Sequence, residues 1–151
     1  NKGFTLIELL VVIGILAILL AITLIAINPA RQFAQANNTK RRSDVNTILN
    51  AIGQFQTDSK GTLPAGIDVT DKEIAAPASS TKADLCAQLV TLYIASLPVD
   101  PKVNNGTAIS SPCPGTYSTG YHVIKSASDN RVTVSVDSLN QELGEAISVT
   151  R

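Results

Sequence analysis

The 151-residue chain carries 12 acidic and 12 basic residues, and 44% of its residues are hydrophobic. A formal net charge of zero argues against nucleic acid or an anionic surface as the main partner, while leaving room for a local basic patch. Once the first thirty or so residues are given to an apolar segment, about 120 remain, enough for one small domain.

Taken in chain order, Lys2-Gly3-Phe4-Thr5-Leu6-Ile7-Glu8 opens into the apolar run Leu9 to Ile27, broken only by Gly14 and Thr23. At 1.5 Å per residue this run spans about 28 Å, close to the hydrocarbon thickness of a bilayer, which predicts one membrane crossing. Glu8 is the odd residue. An ionised side chain in hydrocarbon costs about 2.5–3.5 kcal/mol even on lenient scales, so a chain that keeps one there has a use for it. The bland alternative is an acid at the membrane edge that snorkels to the headgroups or is protonated. A secretory signal peptide would have a shorter apolar core and small residues at a following cleavage site, and Asn28-Pro29-Ala30 fits that poorly. The sequence contains no Met, so the initiator is expected upstream and Asn1-Lys2-Gly3 reads as the tail of a longer leader.

Beyond Pro29, which either starts a fresh helical turn or kinks a continuous helix, Phe33, Val45, Ile48, Leu49, Ile52 and Phe55 recur at spacings of three and four. The economical expectation is one helix from about Phe4 to Asp58, roughly 80 Å long, stopped by Ser59-Lys60-Gly61. Residues 62–81, rich in Pro, Ala, Ser and Thr, read as surface loop. Residues 82–95 carry Leu85, Leu89, Leu92 and Tyr93 at helical spacing and predict a short amphipathic helix. A second loop follows, punctuated by Pro98, Pro101, Asn104-Asn105-Gly106 and Pro112-Cys113-Pro114-Gly115. Gly120 to Ala127 and Arg131 to Asp137 flank Ser128-Asp129-Asn130 as a hairpin, and Ala146 to Thr150 supplies a third strand. Val132, Val134 and Val136 alternate with Thr133, Ser135 and Asp137, so one sheet face is dry and seats the helical stripe. The expected class is α+β, a long N-terminal helix packed through its second half on a small antiparallel sheet of about three strands.

Few residues outside the N-terminus suggest chemistry. His122 is the sole histidine, lies in an expected strand, and has no nucleophile or second ligand that sequence can place beside it. Asp68, Asp71, Glu73, Asp100, Asp129 and Asp137 offer oxygens for calcium, yet none falls in an Asp-x-Asp-x-Asp pattern, so no metal and no cofactor is assigned. Lys40-Arg41-Arg42 is the one dense basic run; it reads as a contact for anionic headgroups or for DNA, or as a solvated or subunit-pairing helix face near Asp44. No aromatic residue interleaves it to stack on bases. Asn37-Asn38-Thr39 and Asn105-Gly106-Thr107 match the glycosylation triplet, a pattern with many false positives.

Gly3, Phe4 and Glu8, with Phe4-Thr5-Leu6-Ile7-Glu8 followed by an unbroken apolar helix, resemble the class III signal of type IV prepilins and pseudopilins. The resemblance runs down the first helix and is looser beyond it, where Leu97-Pro98-Val99-Asp100-Pro101, Thr119-Gly120-Tyr121 and the ending Glu145 to Arg151 look like parts of pilin-type heads. It implies cleavage between Gly3 and Phe4 by prepilin peptidase, N-methylation of the new Phe4 amine, and assembly into a helical homo-oligomer in which Glu8 neutralises the Phe4 amine of a neighbour. The divisions implied are a residual leader at 1–3, a transmembrane and assembly half at 4–28, an amphipathic half at 29–58, and a head at 59–151. Implied partners are copies of the chain, the peptidase, an assembly platform with its ATPase, and the cytoplasmic membrane before assembly. The implied destination is an extracellular pilus, and nucleic acid is an unsupported further partner.

A head outside the cytoplasmic membrane would let Cys86 and Cys113 pair, closing a loop for about 3.5 kcal/mol in the chain-entropy model. The alternative is two separate buried thiols. The resemblance implies a structural subunit and not an enzyme. Rival readings are a pseudopilin of a type II secretion system, a single-pass tethered binding module, and a membrane-attached enzyme for which no catalytic set is visible.

Overall fold

A computed structural model describes residues 3–151. The leader expected at residues 1–3 therefore lies, for Asn1 and Lys2, outside the described residues. The order of elements is α1 (Leu6–Ile27), α2 (Pro29–Asp58), β1 (Lys72–Ala76), β2 (Lys82–Ala83), α3 (Cys86–Leu89), β3 (Tyr117–Lys125), β4 (Val132–Val136) and β5 (Ser148–Thr150), with a single 3-10 turn at Asn104–Gly106. The α+β class expected from sequence is observed.

The single long helix is not. Asn28 adopts a left-handed conformation (φ 46°, ψ 78°), ending α1 and capping α2 by accepting the Arg31 N–H at 3.3 Å. Pro29 is the cause: it disfavours helical geometry at the residue before it and has no N–H to continue the ladder, yet it is well suited to the first position of a new helix. α1 buries none of its residues, being apolar all round. A helix of that kind needs lipid or other helices for cover.

α2 is amphipathic and buries Val45, Ile48, Leu49, Ala51 and Ile52 against the sheet. Phe55 is partly buried and meets Tyr93 edge to face at 5.7 Å. Phe33, expected in the same stripe, is 71% exposed. It lies N-terminal to the part of α2 that packs on the sheet, so nothing covers it.

The sheet has five strands among the described residues, in the order β2-β1-β3-β4-β5, instead of about three. The β1–β2 pair is parallel and the other pairs are antiparallel. The hairpin of β3 and β4 and the third strand fall where alternation places them, and Val132, Val134 and Val136 are buried facing α2. β1 runs through the expected loop at 62–81. Four of its five residues are buried, so it lacks the in-out alternation by which half-buried strands announce themselves.

The helix expected over 82–95 is also replaced, by β2 and a single turn at α3. The backbone N–H groups of Leu85 and Cys86 donate to Tyr117 Oη at 3.2 Å, and Tyr117 donates to Asp84 at 2.7 Å. These bonds hold the chain before Cys86 out of a helix. Val90, extended at φ −70° and ψ 138°, ends the turn on the other side. Cys86 and Cys113 are joined by a disulfide with Cα atoms 5.9 Å apart, tying α3 to the second loop.

Gly120 lies within β3 at φ 72°. A Cβ added there would stand 2.8 Å from Asn140 Nδ2 and Val103 Cγ2 and 3.0 Å from Asp100 Cβ, where two loops close over the strand. Gly120→Ala is expected to destabilise the head by about 2–4 kcal/mol through a strained φ and an overpacked contact. A urea titration followed by circular dichroism measures it; a loss within 0.5 kcal/mol, the range of an ordinary surface change, would contradict the packing described.

Candidate functional site

The start of α1 is organised by two residues three apart. Thr5 is the N-cap: its hydroxyl accepts the Glu8 N–H at 3.3 Å, while Glu8 Oε2 accepts from the Thr5 N–H at 2.8 Å and from the Thr5 hydroxyl at 2.6 Å. This reciprocal pair is a capping box, which the sequence reading missed although Thr-x-x-Glu before an apolar run is its signature. Both contacts use Oε2, and among the described residues no donor meets Oε1. Phe4, one residue before the cap, is 89% exposed. A carboxylate thus sits on the first turn of an otherwise almost wholly apolar helix, beside an exposed Phe4.

The head is fastened to α2 through the basic run, in which Arg41 turns inward and Lys40 meets Asp44, the acceptor near it in sequence. Arg41 is fully buried. Its Nε and Nη2 donate to the two carboxylate oxygens of Asp100 at 2.6 and 3.0 Å, and Nη1 donates to Glu142 at 2.6 Å and Asn38 Oδ1 at 2.8 Å. Lys40 pairs with Asp44 at 2.6 Å and reaches the Val99 carbonyl, and Arg42 pairs with Glu145. Tyr121, buried on β3, donates to Asp44 at 2.7 Å. Burial, with the neighbouring Asp44 carboxylate, holds that phenol well above its ordinary range.

Arg41 is therefore an internal brace joining α2 to the loops at 97–103 and 138–145, while the side chains of Lys40 and Arg42 stay 43% and 55% exposed. Asp100, a calcium candidate in sequence, is committed to this brace. Asn37, the acceptor of one glycosylation triplet, is helical and donates to Glu142. His122, for which sequence offered no companions, has Asp71 and Asp137 at its two ring nitrogens.

Burial opposes charge on Glu142, but hydrogen bonds from Asn37 and Arg41 outweigh it and hold the carboxyl below its ordinary 4.5. Because the folded value lies below the unfolded one, the charged form stabilises the fold above about pH 4.5. That contribution is lost as pH falls through the lowered folded value. Thermal melts between pH 6 and 3 are expected to show a drop that Glu142→Gln reduces; an identical pH profile in the variant would contradict the assignment.

Residues 1–24 match the family described as the prokaryotic N-terminal methylation motif. This is the class III signal of type IV pilins and pseudopilins. Gly3, Phe4, Thr5 and Glu8 all fall inside the matched segment, so the capping box just described is part of that signal. The class III signal supports a pilin-like or pseudopilin subunit, and in general it implies processing by prepilin peptidase and assembly into a filament. Such subunits are structural. α1 is also long and apolar enough to cross a membrane once, consistent with anchoring there before assembly. No curated protein and no solved structure matches the chain.

Proposed function

We propose that this chain is a structural subunit of a type IV pilus-like filament, anchored in the cytoplasmic membrane through α1 and then extruded to the cell surface. Residues 1–3 are leader, and cleavage after Gly3 makes Phe4 the N-terminus, which is methylated. Residues 4–28 form the core-building half, 29–58 the half that carries the head, and 59–151 the head itself.

The observation that carries this reading is a class III signal whose Glu8 stands on a helix with no buried face. In lipid an unpaired Glu8 is costly. In a bundle of copies it gains a cation, because cleavage turns the uncharged amide at Phe4 into an ammonium that a neighbour's Glu8 can accept through Oε1. The pair supplies register more than cohesion: every misaligned docking leaves a charge unmatched in apolar surroundings. Cohesion comes from the aliphatic surface of Leu6 to Ile27.

Mass spectrometry of the protein from its native source tests this directly. The expected N-terminus is Phe4 with one added methyl group. An intact leader, or cleavage near Ala30, would favour a tethered or secreted protein instead.

A further inference from the structure

The outer face of the sheet holds the single histidine between two carboxylates remote from it in sequence. His122 lies on β3, the central strand, opposite Glu73 of β1 and Ser135 of β4, and Ser135 in turn faces Ser148 of β5. Asp71, just before β1, puts Oδ2 3.1 Å from Nδ1; Asp137, just past β4, puts Oδ2 3.7 Å from Nε2.

A carboxylate only accepts, so the proton of the Asp71 contact is on Nδ1, and the Nε2 lone pair of a neutral ring then faces an oxygen of Asp137. Two such acceptors facing each other are satisfied by a cation between them, either a proton on the ring or a metal ion. The other oxygen of Asp137 is occupied by the Leu139 N–H at 2.9 Å, and Glu73 accepts from Ser118. Asp137 Oδ2 is thereby held toward the ring and Glu73 is engaged elsewhere.

We propose that His122 Nε2 and Asp137 Oδ2 are the protein ligands of a site for a first-row divalent cation, represented by Zn²⁺, and that Asp71 orients the imidazole. Metal–nitrogen and metal–oxygen bonds of about 2.0–2.2 Å span a 3.7 Å gap at an open, somewhat wider than tetrahedral angle. A carboxylate on the far ring nitrogen is the usual support of a metal-bound histidine, fixing its tautomer and raising its basicity. Imidazole suits zinc, nickel or copper and not calcium or magnesium, which take oxygen ligands.

The pair opens on a groove of about 310 Å³ that also presents Ser138 and Gln141, leaving room for water in the remaining positions. Among the described residues no three His, Cys, Asp or Glu side chains converge as a metal site. Water therefore completes the coordination and the ion exchanges readily. The site belongs to the head alone and does not depend on filament assembly.

Isothermal titration of the full chain in detergent micelles with zinc chloride at neutral pH is expected to show saturable one-to-one binding. Asp71→Asn is expected to weaken it about tenfold, and His122→Gln and Asp137→Asn by more; the asparagine at 137 keeps an oxygen for the Leu139 N–H. Absence of saturable binding up to millimolar zinc, or His122→Gln binding as tightly as the unaltered chain, would overturn the proposal. Cobalt(II) added to the unaltered protein gives a check free of folding effects. Paramagnetic broadening of amide signals should centre on His122 and Asp137, and broadening centred elsewhere refutes the site.

Discussion

Arg41→Ala is expected to destabilise the head by about 3–5 kcal/mol, the cost of leaving buried charges without their counter-ion. In a domain of this size that lowers the melting temperature by about 10–20 °C. The guanidinium is fully buried and serves two carboxylates at once, Asp100 through a bidentate pair and Glu142 through a single bond. Removing it leaves Asp100 in a site closed to water, held only by its backbone contacts such as the Lys102 N–H at 2.8 Å. Arg41→Lys should recover little, because one ammonium cannot form the planar fork and reach Glu142 together.

The brace as a whole is a weaker source of stability than its rupture suggests. Burying three charges costs several kcal/mol each before their attraction returns it. A combined replacement of Arg41, Asp100 and Glu142 by apolar residues of similar volume is therefore expected to be far less harmful than Arg41→Ala alone. Urea denaturation of the single and triple variants compares them. A triple variant at least as unstable as the single one would mean that the loops depend on these particular hydrogen bonds.

Glu8→Ala is expected to cut filament yield more than tenfold while leaving the head folded. The argument separates two roles of the same carboxylate. In the single subunit Glu8 caps α1 through Thr5, a contribution of about 1 kcal/mol. In a filament it would meet a neighbour's Phe4 ammonium, where losing the partner of a buried charge costs about 3–5 kcal/mol. Glu8→Gln distinguishes the two, since a side-chain amide oxygen still accepts from Thr5 but carries no charge. If charge pairing governs docking, Gln fails nearly as badly as Ala and Glu8→Asp keeps partial function. Electron microscopy and sheared-fibre yield from cells expressing each variant provide the measurement, and normal fibres from Glu8→Ala would remove the docking mechanism.

The local features of this protein were open to sequence alone. Glu8 and Phe4 stand within five residues of one another, and the apolar run after them needs only composition to be seen. The stripe Val45, Ile48, Leu49, Ile52 and the alternating valines of β4 each reflect one element with one buried face, so period alone placed them. The break at Asn28 needed a choice between a kink and a stop at Pro29, which capping geometry made.

What tertiary structure decided involves residues whose partners are distant along the chain. Arg41 finds its acids 59 and 101 residues away, and a basic run on a helix looks the same in sequence whether it faces water or a carboxylate. β1 escaped notice because four of its five residues are buried, on both faces of the strand, which erases alternation. Residues 82–95 have helical spacing, but Tyr117 captures the backbone donors at Leu85 and Cys86 from across the domain. His122 became more than a strand residue only when sheet register set Asp71 and Asp137 at its two nitrogens. Short-range periodicity and capping are written into consecutive residues, whereas the pairing of charges and the competition for backbone donors are set by which segments the closed chain brings into contact.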